Sequence, residues 1–318
     1  MTDDASSGTL SRVLLRLDGT RTAAEIAKEL DMRRVDVEAV LDQLRVNGVL
    51  DESGSRSALQ HYVDLATPAL RTSQASKHRA RDVLLLGSDE LVDVVEGHLT
   101  EQLEVRVRRC ADDDPAWTAL TSNDPGWTSD GIATAEMLDV FAGWRDYFIV
   151  LATTVPDPIS AKVLNRVAIE LGIPWLYGTL DGPLVTAGPM FLPPSTSCYE
   201  CFETRVTMNL RDSDSYLRYK RALVENRVRH GKIPLEPALI GLLASHLAME
   251  VINYAATGSG FTNQKALCIY LPTMEIAFNE VLRLPGCPSC GSVLERDERE
   301  LFFDVRALVP DAVRTARG

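Results

Sequence analysis

The sequence has no excess of positive charge. Its 318 residues include 33 lysines and arginines against 45 aspartates and glutamates, which gives a formal net charge of −12 at pH 7. Nucleic acids and anionic lipid surfaces are bound mainly through clustered positive charge. The charge balance therefore excludes a general affinity for either, and we expect neither nucleic acid nor a membrane as a partner.

Long uninterrupted apolar runs are also missing. Residues 1–10 are polar, and no apolar segment of the signal-peptide type follows them. The longest apolar stretch, 238–256, is interrupted by four polar residues: Ser245, His246, Glu250 and Asn253. This interruption is typical of a buried helix and not of a membrane span. We therefore expect a cytoplasmic protein, and in that reducing compartment paired cysteines are more often metal ligands than disulfides.

Residues 1–56 have the pattern of a small helical domain. Apolar residues recur at helical spacing over 10–17. Thr22 with Glu25 three residues later has the spacing of a capping box, which predicts a second helix over 23–30. A third helix is predicted over 33–47 from the apolar face that its sequence forms: Val37, Val40, Leu41 and Leu44.

A short strand is predicted to begin at Val49 and Leu50, directly after the third helix. Three short helices followed by a strand indicate a winged helix-turn-helix domain. The polar, serine-rich residues 57–80 are predicted to be a linker, with one strand or helix near residues 61–66.

Residues 81–318 alternate between buried strands and helices. The predicted strands are 82–87, 103–107, 147–152, 174–179 and 184–191. The predicted helices are 90–99, 161–171 and 238–256. Strands that alternate with helices form a twisted, largely parallel sheet with helices on both faces. We therefore expect an α/β domain of the Rossmann type, and no regular element is predicted over 115–131.

Two Cys-x-x-Cys pairs are the strongest chemical feature of the sequence: Cys198 with Cys201, and Cys287 with Cys290. Each pair can present two thiolates to one tetrahedral zinc ion, and four thiolates leave no position open for water. The sequence therefore predicts one structural Zn²⁺, with ordinary buried cysteines or a redox pair as the alternative. The other two cysteines, Cys110 and Cys268, lack this spacing and are interpreted as core residues.

The turn after the first predicted strand lies where a dinucleotide-binding fold holds a phosphate. Such turns read Gly-x-Gly-x-x-Gly, which lets backbone amides approach the pyrophosphate. From Gly87 to Val92 this turn reads Gly-Ser-Asp-Glu-Leu-Val, so only the first glycine is present. Asp89 and Glu90 are expected to cap the following helix themselves and to repel a phosphate. We therefore expect no nucleotide here, and we assign no catalytic residue.

The predicted third helix has a polar stripe that suits a peptide better than DNA, because its arginines are balanced by acidic residues. The stripe consists of four residues at three- and four-residue spacing: Arg34, Glu38, Leu41 and Arg45. We expect a peptide beside this helix, with Leu41 as an apolar floor and the two arginines paired with acidic residues of the peptide. The alternative is a solvated surface on a dimerisation or docking element.

Several motifs of the α/β region belong together. They are the strand 83–87, the run Asp146-Tyr-Phe-Ile-Val-Leu-Ala, the run Gly172-Ile-Pro-Trp-Leu-Tyr-Gly, the knuckle Cys198-Tyr-Glu-Cys, the helix 237–257 and the knuckle Cys287-Pro-Ser-Cys-Gly. With them, residues 81–301 resemble the ThiF/MoeB-type superfamily of adenylating enzymes. Active members bind ATP and magnesium with a glycine-rich turn and with Asp-Asn followed by Arg after the central strand. Here the turn has lost its glycines, and residues 153–157 read Thr-Thr-Val-Pro-Asp.

The N-terminal run from Leu15 to Ala27 reads Leu-Arg-Leu-Asp-Gly-Thr-Arg-Thr-Ala-Ala-Glu-Ile-Ala. Combined with the inactive-looking ThiF-like region, it resembles the ocin-ThiF-like or F proteins of thiazole/oxazole-modified microcin (TOMM) and thiopeptide biosynthesis. In that group a winged helix acts as a RiPP recognition element and holds the leader peptide of a precursor as an added strand. A partner YcaO-type cyclodehydratase then converts core Cys, Ser and Thr to azolines with ATP. The resemblance implies a non-catalytic leader-binding and scaffold subunit that forms a homodimer.

Two other classes are weighed against this interpretation. An ATP-dependent adenylating enzyme that activates a peptide or carrier carboxylate would need the glycine-rich turn. A winged-helix DNA-binding regulator would need a basic recognition surface. Such recognition elements also begin with a β-hairpin, whereas only a short polar segment precedes Leu10 in this sequence.

Overall fold

The structure is a computed structural model that describes residues 8–47, 49–50, 58–70, 82–99, 106–122, 125–225 and 236–291. The chain divides into two compact units, Met1–Leu65 and Ala66–Gly318. The first unit is helical, and the second contains a seven-stranded sheet.

The helical unit contains three short helices before residue 50: α1 (Thr9–Leu14), α2 (Ala23–Glu29) and α3 (Arg34–Val46). The predicted capping box at the start of α2 is confirmed. The backbone amide of Glu25 donates to the Thr22 hydroxyl at 3.3 Å, and the backbone amide of Thr22 donates to the Glu25 carboxylate at 2.7 Å. These two bonds satisfy amides that the first turn of a helix leaves without partners.

One apolar cluster holds the three helices together, and its buried members are Val13, Ile26, Ala27, Leu30, Val37 and Leu41. They recur at helical spacing in the sequence, so the predicted core face of the third helix is confirmed in its main members. The guanidinium of Arg12 adds a hydrogen bond of 2.8 Å to the carbonyl of Leu30, which links α1 to the end of α2.

The strand predicted to begin at Val49 and Leu50 is not found at these two residues. Their backbone amides donate instead to the carbonyl of Leu44, at 2.9 and 3.3 Å, and so close the end of α3. The terminal carbonyls of a helix need donors, and here the chain itself supplies them. Residues 51–57, where a wing would continue, lie outside the described residues, so the winged helix stays a prediction.

A helix, α4 (Ala58–Leu70), occupies most of the segment predicted to be a linker. The sequence indicated one element near residues 61–66, and the observed helix extends it in both directions. Residues 71–81 lie outside the described residues. The domain limits predicted at 56 and 80 therefore stay predictions.

The α/β unit is built on one sheet whose strands are β1 (Asp82–Gly87), β2 (Val107–Arg109), β3 (Tyr147–Thr153), β4 (Trp175–Asp181), β5 (Leu184–Phe191), β6 (Lys265–Tyr270) and β7 (Glu275–Glu280). Their order across the sheet is β2-β1-β3-β4-β5-β6-β7. The pairings from β2 to β4 are parallel, and those from β4 to β7 are antiparallel.

The prediction of a largely parallel sheet is therefore wrong for the second half of the sheet. Two tight turns account for two of the three antiparallel pairings, because a connection of a few residues can join only antiparallel strands. One turn is the predicted Asp181-Gly182 hairpin between β4 and β5, and the other joins β6 to β7 around Met274. The resulting domain is mixed α/β.

Seven helices accompany the sheet: α5 (Asp89–His98), α6 (Pro115–Thr121), α7 (Gly131–Leu138), α8 (Pro158–Leu171), α9 (Tyr199–Asn209), α10 (Ser213–Val224) and α11 (Pro237–Thr257). The core on one face contains α5 and α11, and the core on the other contains α6, α8 and α9. The sequence did not predict α6 and α7, although Asp114 before Pro115 and Asp130 before Gly131 are the capping residues at which they start.

Helix α11 is the predicted buried helix of residues 238–256. Leu243, Leu247 and Val251 are fully buried against the sheet, and the ring of Tyr254 stacks on Phe148 at 4.0 Å. Within the described ranges it is the one helix long and apolar enough to cross a membrane, and 56% of its most apolar window is buried inside the fold. The polar residue Glu250 is also buried, because its carboxylate accepts hydrogen bonds from the loop that follows the helix.

We predict that Gly87→Ala destabilises the α/β unit. Gly87 has φ 129° and lies so close to β3 that a Cβ atom would come within 1.8 Å of the Ala152 carbonyl oxygen. The strained backbone and the overlap together should lower the free energy of unfolding by roughly 2–4 kcal/mol in urea denaturation. Gly97→Ala is the matched control, because no atom lies within 4 Å of its added Cβ. The control should be neutral or slightly stabilising, and an equal loss in both variants would contradict the packing argument.

Candidate metal centre and peptide-binding face

The four cysteines of the two predicted knuckles meet in space. The sulfur of Cys198 lies 3.9 Å from that of Cys201 and 3.5 Å from that of Cys287, and the sulfurs of Cys201 and Cys290 are 3.4 Å apart. All four lie within 4.8 Å of one another. The first three side chains are buried and Cys290 is half-buried. The structure thus brings together the residues that the spacing predicted.

Each pair is positioned by local backbone structure. Cys198 is the residue before α9, and Cys201 lies in its first turn, where the helix dipole favours a negative sulfur. The second pair lies on a tight turn, in which the amide of Gly291 donates to the carbonyl of Cys287 at 2.8 Å. A Cβ on Gly291 would come within 2.3 Å of that carbonyl oxygen, so this position requires glycine.

The donor set fits a tetrahedral metal ion. Four sulfurs at about 2.3 Å from a central zinc ion lie about 3.8 Å from one another, close to the separations found here. The backbone amide of Leu284 also donates to the sulfur of Cys201 at 3.4 Å, as the outer partners of metal ligands do. Four sulfur donors without an open position describe a structural centre and not a catalytic one.

The thiols influence one another electrostatically. The hydrogen bond between Cys198 and Cys201 raises the pKa of the Cys198 thiol and lowers the pKa of Cys201. The two sulfurs thus favour a single shared proton over a pair of thiolates. Ionising all four thiols calls for a cation among them, and a bound metal ion supplies that charge.

The two remaining cysteines take no part in the cluster. Cys110 packs half-buried near Asp114, and burial raises the pKa of its thiol to about 12. Cys268 lies on β6, and burial also raises the pKa of its thiol. Both pack against the core of the α/β unit, as the sequence indicated.

The turn after β1 adjoins a cavity of about 380 Å³ that lies where this kind of fold would hold a nucleotide. Among the described residues that line it, none is a lysine or arginine, and the one charged side chain is that of Asp157. The Asp157 carboxylate accepts hydrogen bonds from the amides of Ile159 and Ser160, both at 3.1 Å, at the start of α8. The described part of the cavity wall therefore offers a phosphate no cationic partner.

The expectation that Asp89 and Glu90 cap α5 through their side chains needs correction. The capping position is Ser88, and no side-chain hydrogen bond caps the helix. The Ser88 hydroxyl instead accepts from the amide of Thr154 at 3.0 Å, which binds the turn to the end of β3. Asp89 and Glu90 are exposed in the first turn, where their charge suits the helix dipole.

The predicted peptide-binding residues all lie on α3, but they differ in accessibility. Arg34 and Glu38 are exposed and form an ion pair of 2.7 Å with each other, and Arg45 pairs with Asp42. Leu41 is only 7% exposed and belongs to the core of the helical unit. Because a buried core residue cannot also form the floor of a surface groove, Leu41 does not have the predicted role.

The sequence pattern did not predict that three valines in and beside α3 are exposed. Val35 is 71% exposed and Val46 is 88% exposed, and Val49 just beyond the helix is 61% exposed. Val35 lies in the first turn of α3 and Val46 is its last residue, and single exposed apolar residues of this kind are common on protein surfaces. The sequence does contain a feature that could have revealed them: they are apolar residues that do not belong to the predicted core face of α3.

A larger cavity of about 630 Å³ lies between the sheet and the helices α9 and α10. Lys220 is buried beside it and lies 3.3 Å from Glu203 and 3.7 Å from Asp181. Tyr216 and Tyr219 donate to the same two carboxylates, at 3.1 and 3.0 Å. No sequence motif marked this network, because its members come from three separate elements.

Comparisons with known proteins were made for the whole chain. No family model and no curated protein matches it. Among solved structures, it is similar to a heterocyclase in complex with substrate and cofactor, with a TM-score of 0.54 and 19% identity over 88% of this chain and 34% of that one. It is similar to the heterocyclase TruD, with a TM-score of 0.53 and 20% identity over 88% of this chain and 38% of that one. For E. coli MccB with ATP, the TM-score is 0.49 and the identity 14%, over 89% of each chain.

These likenesses identify the fold. The chain shares a mixed α/β fold with these two heterocyclases, as expected from the ThiF-like order of its motifs. It spans about a third of the length of those heterocyclases, with 34% and 38% of their chains covered.

We predict that the chain purified without chelator contains one metal ion per molecule. Cys287→Ser combined with Cys290→Ser should remove the ion and unfold the α/β unit, because the ion would link α9 to the segment after β7. Elemental analysis and circular dichroism measure the two effects. Cys110→Ser is the matched control and should keep the metal. Metal-free protein that remains fully folded would contradict the assignment.

Proposed function

We propose that this chain is a non-catalytic, zinc-stabilised subunit that binds the leader peptide of a precursor and presents it to a YcaO-type cyclodehydratase. The product would be an azoline in a thiazole/oxazole-modified peptide, of the bacteriocin or thiopeptide kind. The observation that carries the proposal is the fold that the chain shares with heterocyclases.

The state of the nucleotide turn supports a scaffold role over adenylation. Gly87 is packed against β3, and the Ser88 hydroxyl is held by Thr154. The described residues that line the adjoining cavity include no lysine or arginine to neutralise phosphate charge. Adenylation needs several such charges, because the transferring phosphates develop negative charge. The ThiF-like unit would therefore position other molecules instead of activating them.

Zinc is the proposed metal because four thiolates in tetrahedral geometry are its usual structural donor set. Its role would be to hold the start of α9 to the segment that follows β7. The closed donor set argues against a role in the reaction itself.

The leader peptide would bind beside α3, with its acidic residues near Arg34 and Arg45. The apolar part of the surface would come from Val35 and Val46, in place of the buried Leu41. Each arginine already has an exposed acidic neighbour, Glu38 or Asp42, and an exposed pair of this kind is weak. A leader carboxylate could therefore replace the internal partner at little cost. The same balance of charges argues against DNA.

We predict that the isolated chain does not bind Mg-ATP. Isothermal titration calorimetry should show no binding at millimolar nucleotide, because the cavity beside Ser88 lacks a cationic lining residue. An intact chain should also give no ATP–pyrophosphate exchange. A dissociation constant below a millimolar, or measurable exchange, would favour the adenylating enzyme instead.

We predict that Arg34→Glu combined with Arg45→Glu weakens leader binding at least tenfold, which is about 1.4 kcal/mol. Fluorescence anisotropy at low salt, with the leader of the precursor encoded beside this chain's gene, measures the affinity. The variant should unfold at the same temperature as the parent, since exposed ion pairs contribute little to stability.

The matched control is Arg21→Glu combined with Lys28→Glu, which makes the same change of charge elsewhere on the helical unit. It should keep nearly the parent affinity. Equal weakening in both double variants would indicate a general effect of charge and not a site on α3. No binding by the parent to that leader would remove the proposed function.

A further inference from the structure

Strand β7 is an edge strand with an unusual apolar surface. In the described part of the α/β unit it pairs only with β6. Ile276 is 59% exposed and Phe278 is 54% exposed, and both lie on the same face of the sheet. Their cross-strand neighbours Ile269 and Leu267 belong to the core, so the two side chains extend that core beyond its cover.

Strand β2, at the opposite edge of the sheet, has the features that protect an edge strand against pairing with other chains. Strand β2 is three residues long and follows Arg106, whose guanidinium lies 2.7 Å from Asp82. Arg109 lies 2.9 Å from Glu96. Short edge strands and charged side chains prevent pairing with other chains. Strand β7 is twice as long and has apolar side chains at its centre, which is the composition of an edge that pairs.

The hydrogen bonds of β6 reveal which backbone groups of β7 point outward. The amide of Val281 donates to the carbonyl of Gln264 at 2.8 Å, so these two residues form a hydrogen-bonded pair. Hydrogen-bonded pairs recur at every second residue of an antiparallel ladder. The residues of β7 that bond β6 are therefore Glu275, Ala277 and Asn279. The amides and carbonyls of Ile276, Phe278 and Glu280 face the open edge.

These outward groups allow only a few symmetric pairings of β7 with itself. One pairing places Ile276 opposite Phe278 of the second copy and Ala277 opposite Ala277. It puts apolar residues against apolar residues, and it sets Glu275 against Asn279. A shift by one pair in one direction places Ile276 opposite Glu280, which buries an apolar side chain against a charge. The shift in the other direction leaves only three residues of β7 paired. The first pairing is thus favoured by both contact and charge.

We propose that β7 pairs antiparallel with β7 of a second copy of this chain, about a two-fold axis at Ala277. The sheet then continues through both copies, and Ile276 and Phe278 of each cover those of the other. The interface is isologous, because the same strand serves both sides. This inference does not depend on leader binding or on zinc.

The register is tested by disulfide trapping in the full-length chain. Residues 277 of the two copies form a non-hydrogen-bonded pair, with Cα atoms about 4.5 Å apart, which is a distance that a disulfide can span. Ala277→Cys, made together with Cys268→Ser because Cys268 lies directly across from residue 277 on β6, should therefore give a covalent dimer with oxidised glutathione, seen on a non-reducing gel. Asn279→Cys is the matched control, since the two residues 279 would lie four positions apart along the strands, more than about 13 Å. Dimer formation by both variants or by neither would overturn the register.

The interface is tested by sedimentation equilibrium of the unmodified chain. The parent should dimerise, and Phe278→Lys should weaken the dimer at least tenfold, because it places a lysine against Ile276 of the second copy. Met208→Lys is the control, since Met208 is 74% exposed on α9 and lies outside the interface. The proposal would be overturned if both variants weakened the dimer or if neither did. It would also be overturned if the parent were monomeric at all concentrations.

Hydrogen exchange distinguishes a second copy of the chain from another segment of the same chain that could cover this edge. The amides of Ile276 and Phe278 should be protected only at concentrations where the chain is dimeric. Protection in the monomer would mean that another segment of the same chain covers β7, and the proposal would fail.

Discussion

The contact between four cysteine sulfurs holds together the two ends of the segment that runs from α9 to the turn after β7. It joins the residue before α9 to the turn that follows β7. The chain between these points contains α9, α10, α11, β6 and β7, so the cluster ties both ends of this segment to one place. The hydrogen bond between Cys198 and Cys201 raises the pKa of the first thiol and lowers the pKa of the second. A metal ion bound among the four sulfurs would add a positive charge at the point where the two ends of the segment meet.

A second constraint acts at the turn between β1 and α5. The fold places a cavity there, at the position where related folds bind nucleotides. In this chain the backbone of Gly87 touches β3, and the hydroxyl of Ser88 bonds to Thr154. The turn serves the packing of the sheet, and the described residues that line the cavity carry no positive charge to attract phosphate. A fold shared with enzymes thus does not by itself imply their chemistry.

Local patterns predicted those parts of the chain in which a short segment determines its own structure. The capping box of Thr22 and Glu25, the buried strand β1 and the hairpin at Asp181-Gly182 are examples. Prediction failed where contacts outside the short pattern itself decide the outcome. Val49 and Leu50 have strand-like side chains, yet their amides bond to Leu44 and close α3. Strands β6 and β7 were not predicted, because only the pairing of β6 with β5 and of β7 with β6 explains their place in the sheet.

The sequence by itself predicted that the four cysteines of the two Cys-x-x-Cys pairs form one cluster, because two such pairs in a reducing compartment are typical of a single metal site. It also determined the loss of the glycine-rich turn and the ThiF-like order of motifs. Only the tertiary structure decided that Leu41 is core while Val35 and Val46 are exposed. It alone decided that half of the sheet is antiparallel and that β7 is left at an edge. The reason is physical: ligand chemistry depends on residue type and spacing, whereas burial and strand order depend on what the rest of the chain packs against each residue.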